Sequence, residues 1–476
     1  MILASLLAFL PALLIGLLVI LLAWPGPYLR EMPLKLALAL GIGPGIVSCL
    51  YFAFCLFARP RSRIYLGLEA LLLVGLGITV FLRRKSKALE ISLPDTRIPP
   101  NGISTLLIAG LVIAAVLAAG SFGVQTLMQP HGIQDAWNIW NLRARFMFRG
   151  GPNWMDLFNP AIYWLNHPDY PFLVTAGSAR AWYFLGNETT RAPAVQAALY
   201  SLGLAGILFA GLGSRRSWGS AALAALLLCA SPWFVLFGAW QIADVPLDFF
   251  LCSALFLLVL VLSELAPARS GLLFLFGLAG GLAAWTKNEG LLFLAIVLPA
   301  WFAARLFARS PFRRILREGV PILVGLGLPM AVLAYFKFVI APPNDLFVGQ
   351  TSGSIWSSIA DPSRIILTFQ YMGTSLLRLG GWQFSLPILL LLFGLLMWKP
   401  TPIRIFLFSA LTILALLAGY FVIFLITPHD LIWHLRTASD RLVFHIFPPA
   451  LLILFWAVRT PEEIARDLFP QKQKTI

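Results

Sequence analysis

Five stretches of this chain carry no acidic or basic residue at all save a terminal histidine: 2–24, 103–129, 271–286, 290–304 and 405–429. A bilayer core of about 30 Å takes roughly 20 apolar residues of helix. Only helices and closed barrels satisfy their own backbones in lipid. Strand-like alternation of apolar and polar residues is absent, so the blocks are helices. Composition agrees: 59% of the 476 residues are hydrophobic and 12% charged, against about a quarter charged in a soluble chain. Mean hydropathy is +0.86. The expected fold is an all-α polytopic membrane protein with no soluble domain of any size.

About thirteen crossings are expected, over 2–24, 33–57, 64–82, 103–124, 192–212, 221–237, 246–262, 271–285, 290–307, 320–340, 384–397, 403–426 and 442–458. Orientation follows from Lys and Arg, which favour the cytoplasmic side. Arg83, Arg84, Lys85 and Lys87 mark one such loop; Arg215 and Arg216 another; Arg305, Arg309, Arg313, Arg314 and Arg317 the strongest; then Lys399 and Arg404, and a tail with Arg459, Lys472 and Lys474. Alternation then puts five segments outside: 125–191, 238–245, 287–289, 341–383 and 427–441. The loop with Arg59, Arg61 and Arg63 disagrees, falling outside. The N-terminus lacks a basic region ahead of its apolar stretch and reads as a first span, not a signal peptide. Three regions result: accessory N-terminal helices over 1–102, a catalytic membrane region over 103–458, and a cytoplasmic tail over 459–476.

A net charge of +15 would point to nucleic acid in a soluble protein. Here the basic residues sit in short loops between apolar blocks, and no nucleic-acid partner is expected. Cys49, Cys55, Cys229 and Cys252 lie in apolar segments and read as small core residues. Neither a disulfide nor zinc is expected.

The longest stretch without a span, 125–191, holds two segments that read as helices lying on the membrane surface. In the first, Trp137, Trp140, Ala144 and Met147 share one face, and Asn138, Asn141, Arg145 and Arg149 the other. An aromatic face opposite a basic one suits an interface. The second runs from about Phe172 to Leu185.

Polar residues gather in the outer segments. Asp135 lies just past a span, either as a helix N-cap or as a general base at the membrane surface. Asp244, before Pro246, reads equally as an N-cap or as an ionisable group placed for function; Asp248 sits one turn on, on the same face. Glu69 and Lys337 raise the same flag more weakly. In the knot Thr286-Lys-Asn-Glu-Gly290, Lys287 either pairs with Glu289 or meets a phosphate. Segment 427–441 packs His429, Asp430, His434, Arg436, Asp440 and Arg441; they are solvated loop charges or phosphate ligands, since arginine holds phosphate bidentately. The turn His167-Pro-Asp-Tyr-Pro171 is a rigid turn or a sugar contact through His167, Asp169 and Tyr170. Nucleotide-binding, HExxH and GxSxG patterns are absent.

In order and spacing these motifs resemble the GT-C fold glycosyltransferases, in the protein O-mannosyltransferase / lipid A aminoarabinose transferase branch (glycosyltransferase family 39-like). Segment 134–145 is similar to the acidic start of that family's first outer loop, and His167-Pro-Asp-Tyr-Pro171 to the turn before its second juxtamembrane helix. Ala243-Asp-Val-Pro-Leu-Asp-Phe-Phe250 resembles the second acidic position. The Gly-rich helix ending in Lys287, and Arg441 ahead of Pro448 and Pro449, resemble two further features. The resemblance spans 103–458. It implies inverting transfer of a sugar from a polyprenyl-phosphate donor to an acceptor hydroxyl on a glycolipid, polysaccharide or protein. Asp135 would be the base, with Asp244 orienting a substrate. Lys287, Arg436 and Arg441 would meet the donor phosphate, and His167, Asp169, Tyr170, Glu289 and His434 would line the substrate site. Asp135 has no adjacent acid, so a divalent metal is possible but not favoured, and no cofactor is assigned. The implied location is a bacterial inner membrane with the site facing outward. A lipid-linked glycan polymerase or ligase, and a lipid or sugar transporter, are the competing readings.

Overall fold

The computed structural model describes residues 2–25, 28–58, 64–85, 98, 100–163, 167–263, 269–399 and 403–468. The described residues form helices without a strand; a single isolated bridge joins Trp398 to Val458. Four long helices come first: α1 (Ile2–Ala23), α2 (Tyr28–Phe57), α3 (Ile64–Lys85) and α4 (Gly102–Met128). Asn101 and Ser104 close a capping box at the start of α4, which satisfies two otherwise orphan amides. The first outer loop carries α5 (Asn141–Arg149) and α6 (Leu173–Leu185). Then follow α7 (Arg191–Arg215), α8 (Trp218–Cys229), α9 (Pro232–Ala239), α10 (Asp244–Leu262), α11 (Arg269–Thr286), α12 (Asn288–Phe307) and α13 (Phe312–Tyr335). The rest is α14 (Ser352–Ala360), α15 (Pro362–Leu377), α16 (Leu386–Leu396), α17 (Ile403–Ile426), α18 (Leu431–Phe444), α19 (Phe447–Ala457) and α20 (Pro461–Leu468).

Ten helices among the described residues are long and apolar enough to cross a membrane, α18 and α19 counting as one. Helices α8 and α9 form one apolar run bent by 62°, a broken span or a re-entrant loop, and bring the number to eleven if the pair is one span. The bend has a local cause: Ser231 caps α9 with its hydroxyl and Pro232 follows, and proline cannot continue the preceding helix. Two of the thirteen expected segments fall short of this test. The 271–285 segment is α11, 18 residues diluted by glycine, alanine and Arg269. The 384–397 segment is α16, only 11 residues long. The loop with Arg59, Arg61 and Arg63, Lys87, and tail residues 469–476 lie outside the described residues.

Helix α10 is the axis of the bundle, buried along nearly its whole length, while α4 shows almost all of its surface. Helix α2 is also mostly buried, whereas α1 keeps one face exposed. Phe52 of α2 packs among Trp154, Phe172, Trp285 and Phe336. Helices α11 and α13 touch backbone to backbone through reciprocal glycines. A Cβ on Gly277 would stand 2.2 Å from the Ile322 carbonyl oxygen, and one on Gly325 2.1 Å from that of Phe274. Small residues permit such approach in lipid, where apolar burial no longer drives association.

The two helices expected on the membrane surface are packed into the bundle. Leu173 to Trp182 of α6 are all buried, because Arg180 forms a buried ion pair with Glu69 of α3 and donates to the Ala8 carbonyl of α1. Ahead of α5, Ala136–Trp140 forms a π-helical turn. Its wider turn shifts the register, so Trp140, Ala144 and Met147 are buried as the spacing predicts while Trp137 is exposed. Asn141 and Arg143, one from the predicted polar face, point inward. The Arg143 guanidinium lies 3.8 Å over the Phe172 ring and donates to the Tyr170 carbonyl.

Candidate active site

The five segments expected on one side of the membrane meet at one end of the bundle. A hairpin docks first. Gln241, at φ +59°, donates to the Pro130 carbonyl, and Asn141 donates to the Gln241 side chain. Gly132, at φ +73°, lets the 129–135 turn lie against the Trp240 carbonyl, where a Cβ would be 2.4 Å away. This places Asp135 beside the start of α10.

Neither Asp135 nor Asp244 caps its helix; both turn to Arg441 of α18. Arg441 holds Asp244 bidentately, with Nε 3.2 Å from Oδ1 and Nη2 2.8 Å from Oδ2. Its Nη1 donates to Asp135 Oδ2 at 2.6 Å. Lys287 Nζ completes the group, 3.3 Å from Asp244 Oδ1 and 2.9 Å from Glu289 Oε1. Asp244 is wholly enclosed, whereas the Asp135 side chain is 35% exposed. The arrangement is a buried anchor carrying a cation, with an accessible carboxylate at its rim.

One turn deeper lies a second rung. His445 is wholly buried, its Nδ1 paired with Asp248 Oδ1 and its Nε2 3.5 Å from Asp244 Oδ1. His445 did not appear among the sequence candidates. A signal exists: Asp244 and Asp248 are four apart on one helix and Arg441 and His445 four apart on another, so each pair shares a face.

Residues 287–289 divide between two clusters. Lys287 and Glu289 face Asp244, while Asn288 turns to Asp169. The Asp169 carboxylate accepts from Asn288 at 2.9 Å and Asn344 at 2.7 Å. Lys337 Nζ lies 3.9 Å from it and donates to the Asn288 side-chain oxygen at 2.8 Å. Burial pushes the Asp169 carboxyl above its usual range, against the pull of Lys337 and Asn288. Tyr170 stacks between Trp140 and His167.

At the mouth, Asp345 joins three segments, with His429 Nε2 at 3.3 Å and His167 Nδ1 at 3.6 Å. Burial pulls the His167 imidazole down, but the hydrogen bond to Asp345 and the charges of Asp345, Asp169 and Asp135 together outweigh it and raise the group. Burial would raise Asp345, and the two histidines outweigh that and hold it low. Among the described residues, no three His, Cys, Asp or Glu side chains are arranged to hold a metal.

Asp135, Asp244, Lys287, Glu289 and Arg441 therefore converge, and His167, Asp169 and Tyr170 line the adjoining cluster. His434 pairs with the Thr427 hydroxyl at 2.9 Å, beside the mouth. Arg436 stands apart: it is exposed and its Nε lies 3.3 Å from the Tyr371 hydroxyl. Five residues separate it from Arg441, about 140° around the helix. Asn288, Asn344, Asp345 and His445 are site residues that sequence reasoning missed.

No protein-family model, curated protein or solved structure matches this chain.

Proposed function

We propose that this protein is a GT-C-type membrane glycosyltransferase with about thirteen crossings. It transfers a sugar from a polyprenyl-phosphate donor to an acceptor hydroxyl at the outer end of the bundle, with inversion. The observation that supports it most is the Arg441 clamp, an accessible Asp135 and a buried Asp244 sharing one guanidinium with Lys287 alongside.

The donor phosphate competes with Asp135 for the outward Nη1 of Arg441. Taking that position frees the Asp135 carboxylate beside the reacting centre. Asp135 then accepts the acceptor's hydroxyl proton, the oxygen bonds to the anomeric carbon, and the bond to the phosphate oxygen breaks with its electron pair left on the phosphate. Lys287 and Arg441 meet that growing charge, the kind of stabilisation that usually contributes most to catalysis. Asp244 holds both cations in place. His167, Asp169, Tyr170, Glu289 and His434 line the space for sugar and acceptor. The setting is a bacterial inner membrane, with the site facing outward.

The test is turnover of labelled polyprenyl-phosphate sugars by the purified protein beside Asp135→Asn. Transfer or hydrolysis by the wild type, lost in the variant, supports donor class and base together. A folded wild type that turns over no sugar in a broad panel moves the weight to the polymerase and transporter readings.

A further inference from the structure

The arginines of 305–317 do not all behave as ordinary loop charges. Arg309, Arg313 and Arg317 are exposed, as the preference of basic residues for one membrane face requires. Arg305 is not; it is 4% exposed, at the end of α12. It meets Arg269, which opens α11, and Arg314, in the first turn of α13, around a single buried carboxylate. Glu318 Oε2 lies 2.7 Å from Arg305 Nε, and its Oε1 lies 3.2 Å from Arg269 Nε and 3.3 Å from Arg314 Nε. Among the described residues, three guanidinium groups thus share the one carboxylate of Glu318. Nη2 of Arg305 and Nη2 of Arg269 are buried without a hydrogen-bond partner.

Uncompensated buried charge is costly, and the missing compensation has a chemistry. Forked guanidinium donors match phosphate oxygens, and basic pockets between membrane helices hold acidic headgroups. The surroundings decide between a lipid and a free anion. Leu306, Phe307, Phe312, Leu316 and Leu323 flank the cluster and are all strongly exposed, as acyl-chain contacts are. We propose that Arg269, Arg305 and Arg314 form a binding site for the phosphate of an acidic phospholipid, at the end of the bundle opposite the candidate active site.

The full chain, purified in neutral detergent, is titrated with phosphatidylglycerol, phosphatidylcholine and inorganic phosphate, with binding read by native mass spectrometry and by the shift in melting temperature. Phosphatidylglycerol is expected to bind and raise the melting temperature, and the other two are not. Arg305→Gln should weaken phosphatidylglycerol binding about tenfold, the loss of one charge-assisted pair. Arg314→Gln, a change at a half-exposed side chain, should weaken it about threefold, and it carries the test should Arg305→Gln not fold. Arg313→Gln, on the same helix but outside the cluster, should bind as wild type. Equal binding of phosphatidylcholine, an equal shift from inorganic phosphate, or wild-type binding by both Arg305→Gln and Arg314→Gln would overturn the proposal.

Discussion

The two ends of this bundle solve the same electrostatic problem in opposite ways. At the Arg441 end, Asp135, Asp244, Asp248 and Glu289 face Lys287, Arg441 and His445, so each basic side chain is shared between acidic ones. At the Arg305 end, three arginines share one carboxylate among the described residues, that of Glu318. The first end can exchange one of its own acids for an incoming anion without leaving a buried charge bare. The second has nothing to exchange and accommodates an anion only by adding it. On the two proposals made above, the difference separates a site suited to turnover from one suited to occupancy.

The widest separation should come from the exchangeable acid. Asp135→Asn is expected to lower turnover by at least roughly 10²–10⁴-fold, the usual worth of a general base, with an unchanged melting curve. Turnover near wild type would remove Asp135 from that role. The anchor should behave otherwise. Asp244→Ala strands Lys287 and Arg441 without their buried partner, and stability should fall by about 3–5 kcal/mol in a thermal or denaturant melt. A variant as stable as wild type would mean the clamp is not an anchor. One rung deeper, His445→Gln should cost about 1–3 kcal/mol by leaving the Asp248 carboxylate short of its partner, in the same melt.

The mouth should respond to pH more gently. The His167 imidazole is raised, so its contribution is full below about pH 6.5 and fades as pH climbs through the raised value. Asp345 is held low, so its contribution persists until pH falls through that depressed value. Hydrogen exchange, corrected for intrinsic rate, should therefore show segment 341–351 losing protection as pH rises above about 6.5 while α10 does not change; uniform behaviour would dissolve the contrast. The smallest effect belongs to Arg149, an exposed partner of Glu188. Arg149→Ala should change stability by no more than about 1 kcal/mol, measured in the same melt.

Much of this was legible in residue order. Charge-free runs and basic loops mark the long helices, since both follow from the energetics of a thin apolar slab. Asp135, Asp244, Lys287 and Arg441 stand out because a charged group beside a span is expensive enough to be rare. What escaped was partnership. Nothing local tells that Arg441 lies between Asp135 and Asp244, 306 and 197 residues away. Asn288, Asn344 and Asp345 look like ordinary turn residues until three loops close on Asp169. Arg143 and Arg180 do not stand out, because an arginine buried against a ring or a distant glutamate has no mark in its own segment. The π-helical turn at Ala136–Trp140 displaced Trp137 for a similar reason: the periodicity argument assumes an α-helix.

The glycine contact between α11 and α13 bears on how the chain is made. α11 is one of two expected spans that fall short on length and composition by themselves. It packs against α10, made before it, but most extensively against α13, made later, after α12 has turned the chain around. Until α13 emerges, the Gly277 face has no backbone to meet, and α11 is free to slip back toward the translocation machinery. Bulkier residues at Gly277 or Gly325 would therefore act first on biogenesis: the protein would be degraded young, before any defect in the finished molecule could be measured.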